Sequence, residues 1–183
     1  FDGGRVRSVT WTGLRYVGVG DGWVSRSTDG LTWSTDAFPN GAYLTSVAAG
    51  NGLLVAVGLS GALYNSTNGV TWQSPHLQLT EDINRVVWGG DLFVAVGNNG
   101  FLYRSPDGLN WSRGLAATEA NLYGVAAGSG QRVAVGADGT ILGSTDGLVW
   151  LPRLSGVTSH LHDVEWGDDR FVAVGWDDQP DGS

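Results

Sequence analysis

An all-β fold built from repeated antiparallel meanders is what the sequence predicts, and three observations predict it. First, one phrase returns four times, as "STDGLTW" (27–33), "STNGVTW" (66–72), "SPDGLNW" (105–111) and "STDGLVW" (144–150), with Ser27, Ser66, Ser105 and Ser144 each 39 residues apart. Second, "YVGVG" (16–20), "LVAVG" (54–58), "FVAVG" (93–97), "RVAVG" (132–136) and "FVAVG" (171–175) form a parallel series, whose closing glycines keep the same step from Gly58 onwards. Third, "VTWTG", "VAAGN", "VVWGG", "VAAGS" and "VEWGD" precede them in turn. A fixed period of this length is the mark of a repeat architecture.

Each element follows from the punctuation between alternating apolar runs. Asn51-Gly52, Gly90-Asp91 and Ser129-Gly130 separate the first run from the second. Asp21-Gly22, Ser60-Gly61, Asn99-Gly100 and Asp138-Gly139 separate the second from the third. Asp29-Gly30, Asn68-Gly69, Asp107-Gly108 and Asp146-Gly147 separate the third from the fourth. Such pairs favour two-residue hairpins, because both central residues accept positive φ. Three tight hairpins make a four-stranded antiparallel meander, and meanders repeating at about 40 residues predict a β-propeller. The units run approximately over 5–40, 41–79, 80–118 and 119–157, with an incomplete fifth over 158–183.

Within the second strands, valines alternate with Ala56, Ala95, Ala134 and Ala173, and with Gly18 in the first unit. Small residues on one face allow close approach of a neighbouring blade, while valine fills the other. A two-unit rhythm overlies the period. First-strand positions run Trp11, Ala49, Trp88, Ala127, Trp166, and the second strands carry Tyr16, Phe93 and Phe171 against Leu54 and Arg132. Large and small residues are therefore expected to interleave between adjacent blades. A closed ring of five would break this alternation, and Pro180 in "DDQPDG" makes a poor strand. The expectation is a longer parent chain or an even-bladed ring.

Composition narrows the function. The 183 residues include 18 acidic and ten basic side chains, for a net charge of −8. That balance argues against binding nucleic acid or an anionic membrane surface. Cysteine is absent, which excludes disulfides and thiol chemistry. No apolar run approaches the length of a membrane helix and no targeting segment is visible, so no membrane insertion is expected. Methionine is absent even at position 1, which reads as a processed product or a piece of something longer.

The repeated phrase S-x-D-G-x-x-W resembles the Asp-box, or BNR repeat, of sialidases and many other propeller proteins. Four copies cover nearly the whole chain. The resemblance implies a structural hairpin at the outer edge of each blade: Ser27, Asp29 and Trp33; Ser66, Asn68 and Trp72; Ser105, Asp107 and Trp111; Ser144, Asp146 and Trp150. The residues suit that role, since a short carboxylate accepts bonds from the turn's own N–H groups. Asn68 keeps the acceptor and drops the charge, which a catalytic role would tolerate poorly. Sialidase activity also requires converging arginines, a tyrosine–glutamate nucleophile pair and an acid/base aspartate, and none of these can be placed here.

Other constellations are weaker. Among the three glutamates, Glu81 and Glu119 with Asp82 could form a hydrolytic carboxylate pair, but solvated loop charges explain them better. His160, His162 and Asp163 could approach zinc, yet no third ligand is convincingly spaced beside the two histidines, and surface histidines are the preferred reading. Asp177, Asp178 and Asp181 lack a calcium-loop pattern. "Asn65-Ser-Thr" and "Asn110-Trp-Ser" match a glycosylation sequon. No cofactor is implied.

Recognition is expected on the long, irregular blade connections, which share a face with the second-to-third turns. The candidates are Tyr43, Glu81, Asp82, Asn84, Arg85, Glu119, Asn121, Tyr123, His160 and His162. The leading expectation is a non-enzymatic recognition or assembly module, able to form oligomers or part of a larger chain. The repeat wording resembles bacterial surface and tailed-phage structural proteins, which implies an extracellular, cell-surface or virion setting. A glycan-binding lectin is the alternative, with surface glycans in place of protein partners, and a glycosidase ranks third.

Overall fold

The computed structural model describes residues 5–75, 77 and 79–176. β1 (Val6–Trp11), β2 (Tyr16–Gly20), β3 (Trp23–Ser27) and β4 (Ser34–Ala37) form one antiparallel sheet in chain order. β5 (Leu44–Gly50), β6 (Leu53–Gly58) and β7 (Leu63–Ser66) form a second. The third comprises β8 (Ile83–Trp88), β9 (Phe93–Gly97), β10 (Leu102–Ser105) and β11 (Ser112–Arg113). β12 (Leu122–Gly128), β13 (Gln131–Gly136), β14 (Ile141–Ser144) and β15 (Leu151–Arg153) make the fourth, and β16 (His160–Gly167) pairs with β17 (Arg170–Trp176) in the last.

The second sheet departs from the expected four strands. Its fourth position is a single bridge, in which Asn65 and Gln73 exchange both backbone hydrogen bonds. Pro75 follows at once and has no N–H to extend the ladder.

The turns follow the punctuation in two places and depart from it in a third. Asn51-Gly52 (φ 49° and 73°) and Ser129-Gly130 (49° and 71°) are left-handed at both positions, as a primed hairpin turn requires. Ser60-Gly61, Asn99-Gly100 and Asp138-Gly139 are left-handed too, and the next residue's N–H closes each turn onto the carbonyl of Leu59, Asn98 or Ala137. Of Asp21-Gly22 and of Gly90-Asp91 only the glycine is left-handed, and Asp21 bridges Tyr43 of the next unit. The third-to-fourth turns are not two-residue hairpins. Six residues separate Ser27 from Ser34, and of Asp29-Gly30 only the glycine has positive φ. Side-chain acceptors, described below, stabilise this longer loop.

Every first strand carries a bulge at the same place. Leu44 pairs with Gly58 and Ser46 with Val57, so Thr45 is left over. Arg7, Asn84, Tyr123 and His162 are skipped in the same way. The closing glycine of each second strand faces this bulge. A Cβ on Gly58 would lie 1.9 Å from the carbonyl oxygen of Tyr43, and one on Gly97 2.1 Å from that of Asp82. Gly20, Gly136 and Gly175 meet Arg5, Asn121 and His160 equally closely. Only a residue without Cβ fits there.

The sheets stack face to face in chain order. Val17 and Val19 pack with Leu44, Val47 and Ala56; Val55 and Val57 with Ile83, Val86, Phe93 and Ala95. Val94 and Val96 pack with Leu122, Val125 and Ala134, and Val135 clusters with Leu161 and Val164, with Ala173 against them. The valine face of one sheet thus meets the small-residue face of the next. The two-unit rhythm appears at the same junctions. Trp88 lies on Gly50 and Trp166 on Gly128, so close that a Cβ on either glycine would fall within 2.2 Å of the indole. The first strands β1, β5, β8, β12 and β16 all contribute to the walls of one open cleft of about 370 Å³.

Gly50→Ala is expected to destabilise the chain by about 2 kcal/mol through overpacking. Trp88→Leu should relieve at least half of that cost, a coupling that denaturant unfolding of the double-mutant cycle measures.

Candidate functional site

The repeated hairpin binds itself. Ser27 Oγ accepts the Gly30 N–H at 2.8 Å and donates to Asp29 Oδ1 at 2.9 Å, which accepts the N–H groups of Leu31 and Thr32 at 2.8 Å each. Trp33 Nε1 donates to the Gly30 carbonyl at 3.1 Å. Ser105–Asp107–Trp111 and Ser144–Asp146–Trp150 repeat these bonds. Asn68 Oδ1 accepts from Val70 and Thr71 at 2.8 and 2.9 Å, so the neutral amide performs the same task. Trp72 differs, its buried Nε1 having no hydrogen-bond partner among the described residues. Bonds from the turn's own backbone hold the carboxyls low: Thr32 N–H foremost for Asp29, which falls to about 2, Asn110 N–H for Asp107 and Val149 N–H for Asp146.

On the opposite face, three sequence candidates form a latch between sheets. Asp82 Oδ1 accepts the Ser60 N–H at 2.8 Å, Asn121 Oδ1 accepts the Asn99 N–H at 3.0 Å, and His160 Nδ1 accepts the Asp138 N–H at 3.1 Å. Each reaches back to the turn of the preceding sheet. Their exact 39-residue spacing was the sequence signal for this shared role. Tyr43 holds the equivalent place, where its ring receives the Arg7 guanidinium at 5.1 Å and Arg7 pairs with Asp21.

The bulge residues form a second series beside the latch. Thr45 Oγ1 donates to the Ile83 carbonyl at 2.6 Å, and Asn84 Nδ2 to the Leu122 carbonyl at 2.8 Å. Tyr123 stacks on His162 (5.1 Å between centroids), which stacks on Trp176 at 3.6 Å. The buried Nε2 of His162 has no hydrogen-bond partner among the described residues. One residue further on, Ser8 and Ser46 accept the N–H groups of Val47 and Val86. Arg85, at their position, instead reaches 3.3 Å from Glu165 and 3.5 Å from Asp163, two sheets away. Gly124 lies between them and leaves the room, since a Cβ there would come within 2.9 Å of Asp163.

The remaining candidates are scattered. Glu81 accepts the Thr80 N–H and lines a recess of about 40 Å³ with Asn99, Phe101, Tyr103 and Arg113, hardly more than a water's space. Glu119 is exposed and is not among its walls. No cluster of three or more histidine or carboxylate groups able to hold a metal occurs among the described residues. Asn65 is buried in β7, and the exposed Asn110 gives its amide to Asp107, so the first sequon is sterically closed. Asp177, Asp178 and Asp181 lie outside the described residues.

No family model matches this chain, and no curated protein matches it. Solved structures do. A structure described as YCF48 bound to D1 peptide superposes with a TM-score of 0.74 at 17% identity, over 94% of this chain and 63% of that one. YCF48 from Cyanidioschyzon merolae gives 0.66 at 17% identity, over 89% and 60%. The WD40 β-propeller domain of Doa1 gives 0.75 at 16%, over 94% and 62%. The fold is therefore that of a β-propeller, and the chain spans a little over three fifths of those chains.

Acid should weaken the hairpins in a defined window. A carboxyl held low in the folded chain contributes stability that is present above its ordinary pKa near 3.8 and is lost as pH falls towards 2. Urea unfolding between pH 5 and pH 2 should show a smaller loss for Asp29→Asn and a larger one for Asn68→Asp. An unchanged pH dependence in both would contradict the assignment.

Proposed function

We propose that this chain is a recognition and assembly module that holds a protein partner on the face carrying the latch and the bulges. One observation supports this reading above all. The five bulge positions carry five different side chains (Arg7, Thr45, Asn84, Tyr123, His162), while the positions around them repeat: Val, Leu or Ile before the bulge, valine two residues after it, glycine opposite. A rigid scaffold that repeats its packing residues and varies the bulge residue and the one after it (Ser8, Ser46, Arg85, Gly124, Asp163) is suited to recognition. Tyr123 and Arg85 are of residue types that anchor interfaces, offering rigid aromatic area and a guanidinium.

One similar structure is of a propeller with a bound peptide, which supports a peptide-like partner for this one. In this reading the four hairpins are Asp-box hairpins that stiffen the opposite face, and the chain performs no chemistry. The repeat wording supports a phage or bacterial surface structural protein, outside the cell, as the setting.

Selection from a displayed peptide library against the immobilised chain tests the proposal. Selected peptides should lose about tenfold in affinity on Tyr123→Ala, and none on Leu31→Ala at the far hairpin. Affinity unchanged by Tyr123→Ala and Arg85→Ala would overturn it. So would failure to select any peptide together with glycan-array binding that rises steeply with valency.

A further inference from the structure

The junctions between sheets are not filled alike. Trp88 fills the one between the second and third sheets by lying on Gly50, and Trp166 the last by lying on Gly128. Between the third and fourth, Ala127 stands where the tryptophan would be, and the Arg132 guanidinium takes up the room. A Cβ on Gly89 would lie 3.4 Å from its Nε, and Asp91 pairs with it. The junction of the first and second sheets also has an alanine, Ala49. Its strand partner is Leu54, where Ala127 has Arg132. A leucine does not reach as far. A recess of about 280 Å³ remains, lined by Leu14, Arg15, Ala49, Leu54, Thr67 and Asn68. Its walls are the first-to-second turns and a box hairpin, so it opens on the face opposite the latch.

A second replacement puts a charge in this recess. Leu53 and Leu92 each press on the box glycine of the following sheet: a Cβ on Gly108 would come 2.6 Å from Leu53 Cδ2, and one on Gly147 3.2 Å from Leu92 Cδ1. Arg15 holds their place in the first sheet, yet the atoms nearest Gly69 belong to Val17 and Leu54. Thr12 fixes the turn that presents Arg15, its Oγ1 accepting the Arg15 N–H at 3.1 Å and donating to the Arg15 carbonyl at 3.0 Å. Arg15 is half-buried, and among the described residues its guanidinium has no hydrogen-bond or ion-pair partner. Arg26 of the same sheet is by contrast committed to Asp36 and the Gly69 carbonyl. The facing box is the one that carries asparagine. With Asn68 Oδ1 taken by the Val70 and Thr71 N–H groups, its Nδ2 is a donor without a partner among the described residues.

We infer that this recess binds an organic carboxylate carried on a small aromatic or apolar body. The volume holds on the order of ten non-hydrogen atoms, at roughly 30 Å³ each. The Arg15 fork and Asn68 Nδ2 take the carboxylate, a geometry that a guanidinium suits. The body lies beside Ala49 and Leu54, in the room that Trp88 and Trp166 fill at other junctions. An apolar recess with a few convergent donors is the usual form of such a site. It is separate from the partner face proposed above and stands without it.

Titration of the nitrogen-15-labelled chain with phenylacetate, followed by amide NMR, tests this. Shifts should be confined to residues 12–15, 49–54 and 66–72. Phenylacetamide, alike in shape but uncharged, should bind about tenfold more weakly or worse. Arg15→Leu and Asn68→Asp should each weaken phenylacetate by about tenfold or more, the first by removing the cation and the second by placing a carboxylate at the site. Other sheets carry leucine and aspartate at these positions, so the thermal unfolding of both variants should stay near the parent's. Acetyl-Gly-Gly-Phe separates the sources: binding tighter than phenylacetate assigns the carboxylate to a chain end, and weaker binding to a free acid. No shift at millimolar phenylacetate overturns the inference. So do shifts centred on the latch face, equal binding of the amide, or affinity that both variants leave intact.

Discussion

The contact between each closing glycine and the start of its own first strand is the constraint from which the rest follows. Gly58, Gly97, Gly136 and Gly175 bring their second strand to within a Cβ's width of a carbonyl oxygen. That approach leaves one residue of the first strand unpaired, and the strand twists at the bulge. The residue two places before the bulge is delivered to the preceding sheet's turn, where Asp82, Asn121 and His160 accept an N–H. The strand beyond it returns to strict alternation and buries its valine. Latch, projecting side chain and core contact are therefore set by one residue without a side chain.

Two kinds of stitch hold the two faces of the stack. On one, Ser and Asp or Asn side chains satisfy the backbone of a six-residue loop, and a tryptophan closes over it. On the other, side chains of one sheet satisfy the turns of its neighbour. The first stitch is local and confers no variety, since asparagine and aspartate serve alike. The second joins sheets, and it lies next to positions that the fold leaves open to different chemistries. A function placed on the second face uses freedom that the first does not have.

Much of this was legible in the sequence, because turn chemistry and period are local. Asn51-Gly52, Ser129-Gly130, Ser60-Gly61, Asn99-Gly100 and Asp138-Gly139 located their turns through tolerance of positive φ at both positions, whereas at Asp21-Gly22 and Gly90-Asp91 only the glycine takes it. The same logic failed at Asp29-Gly30 and its equivalents. There the aspartate acts as an acceptor in a longer loop rather than as a left-handed turn residue. The second sheet lacks a full fourth strand where Pro75 interrupts the ladder, a local break that the 39-residue period does not reveal. Asp82, Asn121 and His160 read as binding residues because polar loop side chains look alike in sequence; their bonding is long-range and appears only when two sheets are seen together. Glu81 and Glu119 were grouped by charge, and the fold does not seat them in one recess.

A substitution scan, read as resistance to unfolding, tests the central claim most directly: that the fold tolerates different side chains at the bulge positions, each with its own contacts, while the closing glycines admit no replacement. At Arg7, Thr45, Asn84, Tyr123 and His162 most side chains should cost about 1 kcal/mol or less, the worth of a single hydrogen bond. At Gly58, Gly97, Gly136 and Gly175 even alanine should cost about 2–3 kcal/mol, as overpacking against backbone does. Bulge positions as intolerant as the glycines would mean that their identities serve folding, and the recognition face would lose its basis.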